Sequence, residues 1–528
     1  MPCWAGMKLF TTLLFLAGAA ASLRAQAKPN ILIILADDMG YSDPGCYGGE
    51  IETPRLDKLA AGGLRFTQFY NTARCWPSRT AVMCGYYPQQ VRADPRLGRL
   101  PEWATTLPQR LKPLGYRSYH TGKWHVPGAP KPLADAGFDR SLQLEDHDRN
   151  FNPRNMLQDD KPLPAVKPGT GFYTTTAFAD HMIRCLKDHA AQHAAQPFFA
   201  YLAFTVPHFP LHALPEDIAK YRERYKKGWD VLRTERLERM KKLGIVWGEL
   251  PPLETGVTAP SGKESDAALI GAGEMRQARP WGALTEEQRE LQATKMAIHA
   301  AMVDRMDRET GRVLDQLEAM GALENTLILF FSDNGASAEL MVRGDGHDRS
   351  AAPGSAGSFL CLGPGGSSLC NTPFRRHKIW VHEGGISTPL IVHWPRGITE
   401  RGALRHDMGH VIDMMPTILE VAGAPAVTGP PLPGRSLVPA FAKDGSVTRD
   451  FLFFHHEKNR ALRMGEWKIV SAGDGEWELY ELKTDRAESH NLAAAQPDRV
   501  RVMATRWQAL QNDYVKQAGV DPAAKSGK

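Results

Sequence analysis

The stretch of this sequence whose residue types most demand a chemical explanation is Cys75-Trp76-Pro77-Ser78-Arg79. A lone cysteine is more often a small buried hydrophobe than a nucleophile. Here Pro77 is well placed to open a helix through residues 80–83, which sets residue 75 near a positive helix end with an arginine beside it. Elsewhere, Asp37, Asp38, Asp333 and Asn334 offer only oxygen atoms, several of them anionic. That is the donor set of a hard cation, calcium or magnesium, rather than zinc. The histidines show no close pairing of the H-E-x-x-H kind, which also argues against zinc. Lys123, His125 and His208 add a cation and two imidazoles, each next to a proline or glycine turn.

These groups follow the elements that must position them. Short apolar runs at 31–36, 198–204, 326–332 and 388–394, with a shorter one around 116–121, alternate with helical patterns. This predicts an α/β fold with a large mixed, mainly parallel sheet flanked by helices. Met302, Met306, Val313 and Leu317 fall at helical spacing, in a helix that ends at Gly321. Four of the runs end in the polar groups: Asp37-Asp38, Gly122-Lys123-Trp124-His125, Pro207-His208 and Asp333-Asn334. Ligands of open parallel sheets bind beyond the carboxyl ends of the strands, so the four groups are expected to converge. One such pair alone is commonly a helix cap or a turn.

The 528 residues exceed one compact core, so a large domain with a smaller companion is expected. The large one is assigned to 28–430 and a C-terminal α+β unit to 431–528. In the latter, 451–454, 461–464, 467–471 and 477–482 read as short antiparallel strands, Gly465-Glu466 as a hairpin turn, and 497–517 as a final helix. Residues 221–246 read as one charged amphipathic helix within an insertion that runs to 283, and 344–373 as a Gly/Ser-rich loop. Residues 1–27 read as a signal peptide: Lys8, an apolar run at 9–21, and Ala25-Gln26-Ala27 as a small-x-small cleavage site. The run is shorter than the ~20 residues of a membrane span, so export to periplasm or medium without a stable membrane anchor is expected. Net charge is +5, or +3 without Lys8 and Arg24, too little to argue for nucleic acid. No C-x-x-C pair occurs, and Cys361 and Cys370 could form a disulfide or stay two buried thiols.

Together these motifs resemble the type I sulfatases. Cys75-x-Pro77-Ser78-Arg79 matches that family's signature, and Gly115-Tyr116 with Gly122-Lys123-x-His125 is similar to its second signature. Residues 32–38, Pro207-His208-x-Pro210, Ser332-Asp333-Asn334-Gly335, Lys378 and Glu383-Gly384-Gly385 follow in the family's order. Glu478-Leu479-Tyr480-Glu481-Leu482 with Asn491-Leu492 resembles its C-terminal ending. Ser118, Ser387 and Val126-Pro127-Gly128 depart from the usual pattern, which leaves subfamily and substrate open.

The resemblance implies an alkaline-phosphatase-like fold and the oxidation of Cys75 to formylglycine by a maturation enzyme. One hydroxyl of the hydrated aldehyde attacks sulfur, and the other then expels sulfate. Calcium, with magnesium as the alternative, is held by Asp37, Asp38, residue 75, Asp333 and Asn334. Arg79 and Lys123 hold the hydrate, His125 removes the proton that triggers collapse, and His208 with Lys378 protonates the leaving alcohol. His212 and Arg343 are candidate walls of the substrate pocket. The expected partner is a sulfated glycan or small sulfated molecule. A phosphodiester or phosphonate ester hydrolase and a non-catalytic sulfated-glycan binder are the competing readings. A nucleotide-binding module is disfavoured, since no G-x-G-x-x-G or P-loop follows any of the runs.

Overall fold

The computed structural model describes Met1 and residues 28–425 and 429–519. The signal-peptide reading therefore lies outside the described residues. Ten strands form the main sheet: β1 (Asn30–Asp37), β2 (Leu64–Tyr70), β3 (Arg117–Gly122), β4 (Arg140–Leu144), β5 (Met156–Gln158), β6 (Lys161–Pro162), β7 (Phe198–Pro207), β8 (Thr326–Ser332), β9 (Ser387–His393) and β10 (Ala403–His410). Their order is β10-β2-β9-β8-β1-β7-β3-β4-β5-β6. The block β8-β1-β7-β3-β4 is parallel throughout. Its first four strands are the runs whose polar ends were expected to meet.

The antiparallel member of the expected mixed sheet is β9, which runs against both β8 and β2. The sheet is thus mixed, mainly parallel. The consequence is local: the segment entering β9, rather than the one leaving it, sits at the edge where β8, β1, β7 and β3 end.

Both faces of the sheet are buried, as parallel strands require. Along β1, Leu32, Ile34 and Ala36 join one core while Ile31, Ile33 and Leu35 join the other. Five helices matter for the site and its support: α1 (Cys75–Cys84), α2 (Thr174–Gln192), α3 (Trp229–Lys242), α4 (Glu286–Ala319) and α5 (Gly363–Cys370). Helix α4 starts at a Thr285/Gln288 capping box; its end before Gly321, which is left-handed (φ 67°), is the one its sequence predicts.

Two predicted segments differ. The helix expected over 221–246 is broken at Gly228 (φ 79°), and only α3 continues. The expected 344–373 loop ends in α5, a buried helix whose Gly365 lies so close to Trp229 that a Cβ there would stand 2.5 Å from the indole. Cys361 and Cys370 are buried free thiols in this structure, not a disulfide.

The C-terminal strands β11 (Leu452–His456), β12 (Asn459–Met464), β13 (Trp467–Ser471) and β14 (Glu478–Glu481) form an antiparallel meander, followed by α6 (Pro497–Gln517). Gly465-Glu466 makes the β12–β13 turn. Phe453, Leu462, Ile469, Leu479, Met503 and Trp507 of this unit share one core with Ile31, Phe66 and Leu327 of the main sheet.

Candidate active site

The site is assembled where β8, β1, β7 and β3 end. β2 ends at the same edge and delivers the chain through Asn71 to α1, so that Cys75 is the first helical residue. Ser78 fastens this approach: its hydroxyl accepts from the Thr72 amide (3.0 Å) and meets the Thr72 hydroxyl (2.8 Å). Pro77 falls in the first turn, where no intrahelical donor is needed.

Arg79, one turn along α1, is wholly buried. Its Nε donates to Asp333 Oδ2 (2.7 Å), its Nη1 donates to the Lys123 carbonyl (2.6 Å), and its Nη2 lies 3.7 Å from Asp37 Oδ2. Lys123 Nζ donates to Asp37 Oδ2 (2.6 Å). Lys378, on the segment entering β9, donates to Asp38 Oδ2 (2.9 Å) and pairs with Glu339 (3.0 Å). Asn334 Nδ2 donates to Asp38 Oδ1 (2.7 Å), and the Asp38 amide lies 3.4 Å from Asp333 Oδ1. The structure thus brings together nearly every sequence-predicted residue, with Cys75 opening the helix that carries Arg79.

The pocket fits a hard cation. Ligand atoms of Asp37, Asp38 and His208 lie within 4.8 Å of one another. Asp37 Oδ1 and Asn334 Oδ1 are buried acceptors without a hydrogen-bond donor, an arrangement otherwise costly in a protein interior. Burial opposes ionisation of Asp37, but Lys123, Arg79 and Lys378 outweigh it and hold the carboxyl low. Asp38 and Asp333 are pushed up by burial, and the neighbouring Asp37 adds to both shifts. Crowded carboxylates of this kind are relieved by a divalent ion. A second buried group, Asp43, His299 and Cys370, is a weaker candidate, because Arg236 already pairs with Asp43 (2.8 Å).

His208 refines its expected role. Its Nδ1 faces the Phe209 carbonyl, so that nitrogen carries the proton and Nε2 is left facing Asp38 Oδ2 at 3.7 Å. Burial, then Lys378 and Lys123, push its pKa well below the usual histidine value, so His208 is neutral. Lys378 is the charged partner, raised by Asp38 and Glu339 against the effect of burial. His125 is half-buried with φ 52°, a left-handed conformation uncommon outside glycine. It too is held neutral, by burial and then Lys123. Its Nε2 lies 3.0 Å from Arg96 Nη2; a guanidinium only donates, so the imidazole proton sits on Nδ1.

The two expected pocket walls divide. Arg343 reaches the mouth, with its guanidinium 5.2 Å from the centre of the Phe209 ring and paired to Asp148 (2.8 Å). His212 does not line the site; it is buried and bonded through Nε2 to the Ser358 carbonyl (2.8 Å).

Three neighbours were not read from the sequence. His147 lies 5.6 Å from the His125 ring and 6.2 Å from that of His208. It follows β4, and only the Leu142/Leu144 alternation hinted at that strand. Glu339 holds both Lys378 and Arg74 (3.2 Å). Arg96 stacks on Trp76 with its guanidinium 4.0 Å from the ring centre. Nothing in local spacing marks either residue. Conversely, Glu383 of the Glu-Gly-Gly block lies away from these groups and pairs instead with Lys468 of β13 (2.9 Å).

Comparison with known proteins agrees with this geometry. Residues 29–424 match the Sulfatase family model, and 375–516 match that of the N-sulphoglucosamine sulphohydrolase C-terminal region. An uncharacterised sulfatase of Schizosaccharomyces pombe is 32% identical over 91% of this chain and 93% of its own. The arylsulfatase of Klebsiella aerogenes is 32% identical over 78% of this chain and 90% of its own. Among solved structures, Ps i-CgsB in complex with k-i-k-neocarrahexaose superposes with a TM-score of 0.68 at 22% identity, covering 95% of this chain and 96% of its own. A protein in complex with its substrate D-glucosamine-2-N,6-O-disulfate gives 0.66 at 20% identity, covering 94% and 100%. These two likenesses bear on the fold, which they share. The family model spans most of the chain and the arylsulfatase relative runs along it, so this protein belongs to the sulfatase family and is a sulfuric ester hydrolase.

Proposed function

We propose that the protein releases sulfate from a sulfated carbohydrate or aryl sulfate, using a formylglycine made from Cys75 by a maturation enzyme and a calcium ion held beside it. The observation that carries this reading is the pairing of Cys75, at the positive end of a buried helix, with an oxygen-lined pocket and three buried cations. Formylglycine, when present, supplies a hydrate with one hydroxyl to attack sulfur and a second to release the product. Calcium, with magnesium as the alternative, would be held by Asp37, Asp38, Asp333 and Asn334, with residue 75 completing the shell, and supplies Lewis acidity toward sulfate oxygens.

The protein's own groups do the rest. Arg79 and Lys123 fix the position of residue 75, and with Lys378 they stabilise charge growing on the sulfate oxygens. Lys378 carries a proton beside His208, so the pair is poised to hand one to the departing alcohol oxygen through His208 Nε2. His125, half-buried at the mouth, is placed to take up the proton of the residue 75 hydroxyl. The signal-peptide pattern read at 1–27 supports export to periplasm or medium.

Mass spectrometry of the peptide containing residues 75–79, from cells that carry a maturation enzyme, should show the thiol replaced by an aldehyde. Turnover of 4-nitrophenyl sulfate should then exceed that of a nitrophenyl phosphodiester and vanish in Cys75→Ala. Undiminished turnover in that variant would sink the mechanism, and a preference for the phosphodiester would favour the sister reaction.

A further inference from the structure

The cations around the site are matched to carboxylates with one exception at the lip. Arg79, Lys123 and Lys378 pair with the Asp cluster, Arg74 with Glu339, and Arg343 with Asp148. Arg96 has no carboxylate partner among the described residues. Its contacts are the face of Trp76 and His125 Nε2. It is exposed, yet stacking holds its guanidinium over the indole of the residue that follows Cys75. Beside it, Trp76 Nε1 and Arg74 Nε are buried donors with no acceptor. An unpaired guanidinium and two unsatisfied donors, one residue to either side of Cys75 in sequence, make a place that lacks an anion. The sulfate under attack cannot fill it, because Arg79, Lys123 and Lys378 form the inner cationic set.

We propose that Arg96, seated on Trp76, binds a second negative group of the substrate, a carboxylate or a further sulfate, so that the preferred substrates are polyanionic glycans rather than singly sulfated ones. This rests on the sulfatase reading of the inner site and adds to it. A charge-assisted, two-pronged contact of this kind is worth about ten-fold or more in binding. His125 gives up one accepted hydrogen bond when the guanidinium turns to the ligand, which frees Nε2 as the substrate arrives.

The test compares matched substrates on the full, formylglycine-bearing protein. One pair is a sulfated disaccharide with a uronate and its uronate methyl ester. The other is N,O-disulfated glucosamine and its O-sulfated counterpart. 4-Nitrophenyl sulfate reports the inner site alone. The wild-type protein should favour at least one doubly charged member by about ten-fold in kcat/KM, chiefly through KM. Arg96→Gln should bring that ratio near one, and Arg96→Lys should restore part of it. Arg99→Gln removes the same charge three residues along, where Arg99 pairs with Asp135, and should keep the wild-type ratio. Preference for the uronate alone, or the disulfate alone, identifies which anion the subsite takes. Absence of any preference overturns the proposal. So does an equal loss on all substrates in Arg96→Gln, which would make Arg96 a positioning residue for His125. No sulfate release from any substrate by the wild-type protein would instead overturn the reading of the inner site, and this one with it.

Discussion

At the scale of single residues, the site is a balance of buried charge. Asp333 is pushed up to about 7 by burial and by Asp37, with Arg79 and Lys123 pulling the other way. Its folded pKa therefore lies above the unfolded carboxyl value of ~4, and between these limits Asp333 holds more proton in the folded protein than in the unfolded chain. The stability that Asp333 contributes thus falls as pH rises from ~4 to ~7. A divalent ion displaces that proton, so calcium should raise the melting temperature more at pH 8 than at pH 5.5. Calcium titrations followed by differential scanning calorimetry at the two pH values check this. An equal shift at both would mean that the ion does not bind through Asp333.

At the scale of elements, the Gly122-Lys123 step shows why the motif has its form. Gly122 ends β3 at φ 110°, and a Cβ there would stand 1.8 Å from the Ala203 carbonyl of β7. Only glycine lets β3 lie against β7 to its last residue and turn Lys123 toward Asp37. Gly122→Ala should cost about 2–4 kcal/mol in urea unfolding and lower kcat by moving Lys123 off Asp37. The direction of β9 is the second case. Because it runs antiparallel, the loop bearing Lys378 precedes the strand at the active edge; a parallel β9 would carry that loop to the far edge.

At the scale of the molecule, the C-terminal sheet is tied to the catalytic sheet by charge as well as by the shared core. Lys468 of β13 is wholly buried between Glu383 (2.9 Å) and Glu488 (2.8 Å), and Glu383 also accepts from Tyr70 and Ser387. Lys468→Met would take away the cation that Glu383 and Glu488 share, leaving Arg486 at 3.6 Å from Glu383, and should destabilise the protein by about 3–5 kcal/mol. Lys468 lies apart from the site, so kcat per folded molecule should stay at the wild-type value. Urea unfolding and active-site-normalised kinetics measure the two. A loss of kcat without loss of stability would place this network in catalysis.

The local sequence determined the chemistry and the strand ends that carry it. Asp37-Asp38 after an apolar run, Lys123 and His125 after another, His208 and Asp333-Asn334 were legible because strand periodicity and polar termination are short-range properties. The Cys75 motif was legible for the same reason, as one helical turn holds all of it. The strand that delivers Cys75, β2, was not, since its alternation is weak and its partners β9 and β10 lie more than 300 residues away. Nor was the break at Gly228, or the burial of α5, which depend on Trp229 and Trp281 packing from elsewhere in the chain. His147, Glu339 and Arg96 became site residues only through the tertiary structure. Their roles come from what faces them across the edge of the sheet, and a pairing between distant segments leaves no periodic trace in either one. The sequence by itself determined the family and which polar groups stand at the strand ends. The tertiary structure decided which of the described charges pair with one another, because those pairings join segments far apart in the chain.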